Sequence, residues 1–328
     1  MKFSAKRVLI TGGTGTVGKK LVEHFLINGA KKITIVSRNE ENQVNLRRDI
    51  QEEFGAQGLS RVNFVLCDIR HNEVFRRHFA DCDIVIHTAA MKHIDLCEEN
   101  IQEAYEINIE GTKNVINNSI DYGVEKAILL STDKACSPTS VYGSSKLIAE
   151  RLFKEANKFN KTKFAVLRGG NICGSTGSVI PYFQKLVKKG KTTLPVTHEQ
   201  MSRFWFSLND VVCAIEYILQ TMKGGEVFVP KMRAFKIVDL AKAISGQDKY
   251  EIVGLRKGER LEEPILNEHL EIFENDSFFV EWNGCDNYAK LNPQFKKSSK
   301  SYYSSGSEKR YLTVDELKEL ICAINQQS

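Results

Sequence analysis

The sequence predicts an α/β protein: a doubly wound parallel sheet carrying a smaller mixed α/β lobe. Three observations lead there. Short apolar runs rich in β-branched residues alternate with helical patterns as far as Asn171. The first run ends in glycines and leads straight into an amphipathic helix. Beyond Asn171 the alternation gives way to shorter, mixed segments. Such alternation builds βαβ units, and right-handed crossovers leave the strand C-termini along one edge, where ligands bind.

The elements follow in order. RVLITGG reads as a buried strand. VGKKLVEHFLINGA places Val17, Leu21, Phe25 and Leu26 on one helical face, and Gly29 suits its end. KKITIVSR, RVNFVLCDI, CDIVIHTAA, KAILLSTDK and KFAVLRGGN are further strands. EAYEINIEGTKNVINNSI and SSKLIAERLFKEAN are helical patterns between them. The expected division is one domain over residues 1–282. Its cofactor lobe is mainly 1–171 and 204–229, and its substrate lobe mainly 172–203 and 230–282. Residues 283–328 are expected to form a polar connection, mobile over 283–312, and a last helix opened by a Thr313/Glu316 capping box.

Bulk properties narrow the class. The chain has 328 residues, with 42% hydrophobic and 27% charged, which is ordinary globular composition. No apolar run reaches the roughly 18 residues of a membrane span, and MKFSAKRVLITGG lacks a signal-peptide core. The expectation is a cytoplasmic protein without a membrane partner. The eight cysteines contain no CxxC pair and the seven histidines no metal-spaced cluster, so reduced thiols and no metal are expected. A net charge of +5, partly from Lys296, Lys297, Lys300, Lys309 and Arg310, fits a solvated surface or an anionic small substrate. No nucleic-acid partner is expected.

TGGTGTVG spaces Gly12, Gly15 and Gly18 as GxxGxxG between a strand and a helix. Glycine is needed where backbone turns tightly beside a pyrophosphate, and the helix N-terminus favours that anion. The second strand ends at Ser37-Arg38, where NAD enzymes place a carboxylate for the ribose 2′-hydroxyl. A hydroxyl and a guanidinium donate to a 2′-phosphate instead, so NADP is the expected cofactor. Asp68 then lies near the adenine, and Thr88 to Ala90 line the far side.

STDKACSPTSVYGSSK carries the chemistry. Tyr142 and Lys146, four apart, share one face of a helix. The Lys146 ammonium, with a positive nicotinamide ring, is expected to lower the tyrosine from about 10 so that it can take a hydroxyl proton as hydride leaves the same carbon. Thr132 can hydrogen-bond that oxygen. A dehydrogenase needs no more, yet Asp133 and Lys134 follow directly. With a sugar C4 hydroxyl oxidised, the C5 proton is α to a carbonyl. A base can remove it while an acid protonates the departing C6 hydroxyl, and hydride returns to C6. The competing description of Asp133-Lys134 is a solvated ion pair.

The chain resembles the extended short-chain dehydrogenase/reductases, with their Rossmann-type sheet, and among them the 5-inverting UDP-N-acetylglucosamine 4,6-dehydratases of pseudaminic acid biosynthesis. The resemblance rests on AAMKH from Ala89, NIEGTKNV from Asn108, STDKA with YGSSK, GSTGSVIP from Gly174, MSRFW from Met201, GGEVFVPK from Gly224 and LRKGERLEE from Leu255. It implies NADP held by Gly12, Thr14, Gly15, Thr16, Val17, Gly18, Ser37, Arg38, Asp68, Ile69, Thr88, Lys92, Leu130, Ser131, Tyr142 and Lys146. It implies substrate contacts from Lys92, Asn171, Ile172, Gly174, Ser175, Thr176, Arg203, Arg256 and Glu259. Catalysis would fall to Thr132, Asp133, Lys134, Tyr142 and Lys146, the substrate would be a UDP-sugar, and the assembly a homo-oligomer with a hexamer among its forms. Two positions depart from the family pattern: Gly169 stands where an aromatic is usual and Thr176 where an arginine is. A UDP-sugar C4 epimerase, a retaining dehydratase and an NADP-binding sensor stay open as alternatives.

Overall fold

The computed structural model describes residues 3–256, 258–266, 270–282, 284, 287–307 and 310–326. Six parallel strands alternate with helices: β1 (Arg7–Thr11), β2 (Lys32–Ser37), β3 (Val62–Leu66), β4 (Ile84–His87), β5 (Lys126–Thr132) and β6 (Lys163–Gly169). Beyond them come β7 (Leu194–Val196), β8 (Ser202–Phe204), β9 (Val227–Pro230), β10 (Ala234–Lys236), β11 (Tyr250–Ile252), β12 (Glu271–Glu274), β13 (Phe278–Trp282) and β14 (Lys296–Lys297). The main sheet runs β14-β12-β13-β9-β6-β5-β4-β1-β2-β3. Its strands from β3 to β9 are parallel, while β13, β12 and β14 pair antiparallel at one side. The central strands read as nearly continuous apolar runs because helices cover both faces. Ile10, for example, lies between Ile35 of β2 and Ile86 of β4, and all three are fully buried.

The chain direction of construction reverses between β1 and β4. That switch point opens a crevice beyond the strand C-termini. Gly12 ends β1 there with φ 69°, and a Cβ on it would lie 2.9 Å from the Ala89 nitrogen after β4. The two loops bounding the crevice thus approach at backbone contact.

A second core joins helix Val179–Lys188, helix Ile237–Ser245 and the last helix, Val314–Gln326, through residues such as Phe183, Trp205, Leu240 and Leu317. The Thr313/Glu316 capping box forms: the Thr313 amide donates to Glu316 at 2.9 Å and the Glu316 amide to the Thr313 hydroxyl at 3.3 Å. Two expectations need correction. Residues 271–282 do not extend the smaller lobe. They form β12 and β13 of the main sheet, pairing with each other and with β9, and Ile272, Phe273, Phe279 and Val280 are buried there. Nor is the described part of 287–305 a mobile connection. Tyr288, Tyr303, Ser304 and Ser305 are buried, and the Tyr303 hydroxyl donates to the Met232 carbonyl at 2.6 Å. Polarity misled there because the serines are consumed by internal hydrogen bonds. Cys285 and Lys309 lie outside the described residues.

One buried charge cluster ties the elements behind the crevice. Arg168 on β6 is 1% exposed. It donates to Glu150 of helix Val141–Ala156 at 2.6 and 3.0 Å, to Glu281 of β13 at 2.9 Å and to the Ile265 carbonyl at 2.9 Å. The Ser131 hydroxyl donates to the same Glu150 at 2.6 Å. Removing the guanidinium would strand two buried carboxylates. Arg168→Leu should therefore cost about 3–5 kcal/mol of stability, measured as a lowered denaturation midpoint; a loss under about 1 kcal/mol would contradict this account.

Candidate active site

A cavity of about 580 Å³ opens at the switch point. Its walls come from the glycine loop, the loop after β4, the end of β5 with the following helix, the loop after β6, Arg203, and the 256–263 segment.

The glycine loop is shaped for a close anionic ligand. A Cβ on Gly18 would collide with the Gly12 carbonyl oxygen. Helix Thr16–Ile27 begins at Gly15 with no side-chain cap and no acidic residue in its first turn. Its amides are therefore available to a pyrophosphate. Thr14, Thr16, Val17, Thr88, Leu130 and Ser131 line the same wall. Thr16 reaches the facing loop, where its hydroxyl lies 3.2 Å from that of Thr176, and Lys92 donates to the Thr176 carbonyl at 2.8 Å.

Ser37, Arg38, Asp68 and Ile69 do not line this cavity; they sit at the ends of β2 and β3. Ser37 is buried and its hydroxyl accepts from Gln43 at 2.9 Å. Arg70 holds Asp68 at 2.7 Å, whereas Arg38 stands 3.6 Å from it and 3.8 Å from Glu103. Burial would raise the Asp68 carboxyl, but the Arg70 guanidinium holds it below the usual range. Arg38, half exposed and only loosely paired, remains able to reach a phosphate.

The catalytic candidates converge where β5 ends. Asp133 to Ala135 form a single tight turn, and Ser140 caps the next helix by accepting from the Gly143 amide at 3.1 Å. Gly143 has no side chain because the Lys134 carbonyl occupies that space. Tyr142 and Lys146 then face the cavity together. Lys146 donates to the Leu130 carbonyl at 2.8 Å, and burial pulls it down to about 8. Tyr142 is pushed up to about 12, chiefly by burial, while the Lys134 charge and a hydrogen bond with Thr132 act downward. Among the protein's charges, that of Lys134 acts downward on Tyr142.

Asp133 is fully buried beneath the cavity wall. Its Oδ1 accepts from Thr132 at 2.9 Å and from Lys134 at 3.0 Å, while its buried Oδ2 has no hydrogen-bond partner. The Lys134 ammonium also donates to Asn171 Oδ1 at 3.0 Å and lies 3.4 Å from Glu263. Burial lowers this amine, but Asp133 and Glu263 outweigh it and raise it above its ordinary value. The pair is not the solvated ion pair that bare sequence allows.

Among the substrate candidates, Asn171, Ile172, Ser175, Thr176, Arg203, Arg256 and Glu259 line the cavity. Gly174 does not: at φ 76° it turns the chain against Ile324 of the last helix. Arg203 is buried and donates to the carbonyls of Ser202, Leu261 and Arg260 at 2.7, 3.3 and 3.0 Å. Glu259 accepts from the Arg256 amide at 3.1 Å, closing a turn. The departure at Gly169 is compensated, because the Phe206 ring fills the space a side chain there would take. Sequence reasoning missed Glu263, the last residue of LRKGERLEE, whose only signal was its position in a motif already noted.

Residues 8–280 match the family described as polysaccharide biosynthesis protein. The chain is 38% identical, over 97% of its length and 98% of the relative's, to a UDP-N-acetylglucosamine 4,6-dehydratase (inverting) of Campylobacter jejuni. It is 34% identical, over 98% and 97%, to a UDP-glucose 4-epimerase of Rickettsia canadensis. The X-ray structure of Pen from Bacillus thuringiensis has a TM-score of 0.89 at 34% identity, covering 100% of this chain and 99% of that one. With the glycine loop, the Tyr142/Lys146 helix and these full-length matches together, the chain belongs to the polysaccharide biosynthesis protein family and has the extended short-chain dehydrogenase/reductase fold.

Proposed function

We propose that this protein removes water across C4 and C6 of UDP-N-acetylglucosamine with inversion at C5, giving UDP-2-acetamido-2,6-dideoxy-β-L-arabino-hex-4-ulose. The observation that carries this reading is the buried Asp133–Lys134 pair, set between Thr132 and Asn171 at the cavity wall. Oxidation at C4 alone has no use for it. The similarity to the Campylobacter dehydratase supports the same reading.

A bound nicotinamide dinucleotide supplies a reversible hydride acceptor. Tyr142 takes the C4 hydroxyl proton, Thr132 orients that oxygen, and Lys146 holds the β5 end through Leu130. Lys134 and Asp133 then share one proton over 3.0 Å. When it passes from the amine to the carboxylate, the amine becomes a base for the C5 proton and the carboxyl an acid for the C6 hydroxyl. One transfer thus creates both groups that the elimination requires. Arg203 and Arg256 fit the diphosphate and Glu259 a ribose hydroxyl, by their charge and position on the wall.

NADP is the form of cofactor that Ser37 and Arg38 favour. Further parts of this reading, supported by the sequence resemblance, are a place in pseudaminic acid biosynthesis and protein glycosylation, a homo-oligomeric and hexameric assembly, and a cytoplasmic location. Among the described residues no helix is long and apolar enough to cross a membrane. The proposed lobes are those set out from the sequence, with β12 and β13 moved to the cofactor side. The similarity to the Rickettsia epimerase favours C4 epimerisation as the second reading.

Two measurements follow. In Lys134→Ala, substrate should still reduce bound cofactor, more slowly and seen near 340 nm, while 6-deoxy-4-keto product falls by at least about 100-fold; in Tyr142→Phe neither should appear. An epimerase would keep turning over without Lys134. For the cofactor, Arg38→Ala should weaken NADP about tenfold or more and leave NAD nearly unchanged. Equal losses for both, or tighter NAD than NADP in the unaltered protein, would contradict the NADP assignment.

A further inference from the structure

Lys134 is surrounded from every element packed on it. Asp133 belongs to its own turn, Tyr142 comes from helix Val141–Ala156, Asn171 follows β6, Arg203 lies on β8, and Glu263 lies on the 258–266 segment. Its ammonium donates to Asp133 and to Asn171, each at 3.0 Å, and forms an ion pair with Glu263 at 3.4 Å. Two of those three partners are carboxylates, so the geometry selects the charged amine.

Glu263 is itself firmly held. It is 5% exposed. Its amide donates to the Ser305 hydroxyl at 3.0 Å and its carbonyl accepts from the Ser305 amide at 3.1 Å, while Pro264 and Ser304 form a bridge. Ser305 also donates to the Ser202 carbonyl at 3.1 Å. Arg203 stands 3.7 Å from the same carboxylate oxygen, Oε1, that faces Lys134, and its guanidinium is fixed by three backbone carbonyls. The polar C-terminal stretch thus braces a carboxylate against the amine of the elimination base.

We propose that Glu263 is the second counter-ion of Lys134, a positioning residue that keeps the amine charged while Tyr142 works at C4 and sets the pH at which the amine becomes available to take the C5 proton. The inference rests on the function proposed above. Its physical content is a change of charge between two steps. A charged Lys134 favours ionisation of Tyr142, the group needed first. The same charge must leave before C5 is deprotonated. An anion 3.4 Å away delays that loss, and Asp133, closer and directly hydrogen-bonded, receives the proton.

The test compares the full-length, cofactor-loaded protein with Glu263→Gln and Glu263→Asp. Exchange of the substrate C5 proton in D2O and reduction of bound cofactor are followed separately from pH 5 to 10. Glu263→Gln keeps the shape but loses the charge. Its acid limb for C5 exchange should move down by about one pH unit, and its cofactor reduction should fall at high pH where the unaltered protein still reacts. Glu263→Asp, charged but shorter, should lie between and serves alone if the Gln variant does not fold. Unshifted limbs, whatever the change in kcat, would overturn the proposal, as would an Asp variant shifted further than Gln. If the unaltered protein exchanges no C5 proton, the dehydratase reading fails; if it does and the limbs stay fixed, only the role of Glu263 fails.

Discussion

The Lys134 ammonium is shared among oxygen acceptors from three separate stretches of chain: the turn after β5, the loop after β6 and the 258–266 segment. Burying such a charge is tolerable only when its partners are in place, since an unpaired buried ion costs several kcal/mol. Satisfying Lys134 therefore requires these three stretches to meet at one point. The glycine at position 143 lets the Lys134 backbone pack on the Tyr142 helix, and the Arg168 cluster fixes that helix to β6 and β13 from behind. Site geometry and fold stability thus share the same few polar contacts.

This arrangement separates the two halves of the chemistry electrostatically. Lys146 is easily discharged, being pulled down to about 8 by burial, and Tyr142 is high at about 12. Protein groups alone thus hold Tyr142 protonated at neutral pH; a positive nicotinamide ring bound there would add to the charge of Lys134. Lys134 in turn is bound too tightly as an ammonium to serve as a base at rest. Its hydrogen bond to Asp133 supplies the route by which that proton can leave.

Much of this was legible in the sequence for physical reasons. Strand-helix alternation, the glycine spacing at Gly12, Gly15 and Gly18, and the four-residue step from Tyr142 to Lys146 are local signals, and each states a backbone requirement directly. Non-local partners left no such mark. Glu263 is one acid within LRKGERLEE until Lys134 and Arg203 are seen beside it. Arg168 and Glu281 drew no notice in the sequence, yet they are buried together. The stretch around Ser305 looked like a polar linker because Ser305 finds its partner, Ser202, 103 residues away. Gly169 looked like a missing aromatic, yet its space is filled by Phe206 from another segment.

The central claim is that a buried acid–base pair, and not oxidation alone, defines what this protein does to its substrate. Incubation of the protein, loaded with a nicotinamide dinucleotide, with UDP-N-acetylglucosamine in D2O, followed by NMR of the product, decides it. The account requires a 6-deoxy-4-keto sugar carrying deuterium at C5 in the L-arabino configuration. A D-xylo product would contradict inversion, and C4 epimerisation with C6 still bearing its hydroxyl would contradict elimination by Asp133 and Lys134 altogether.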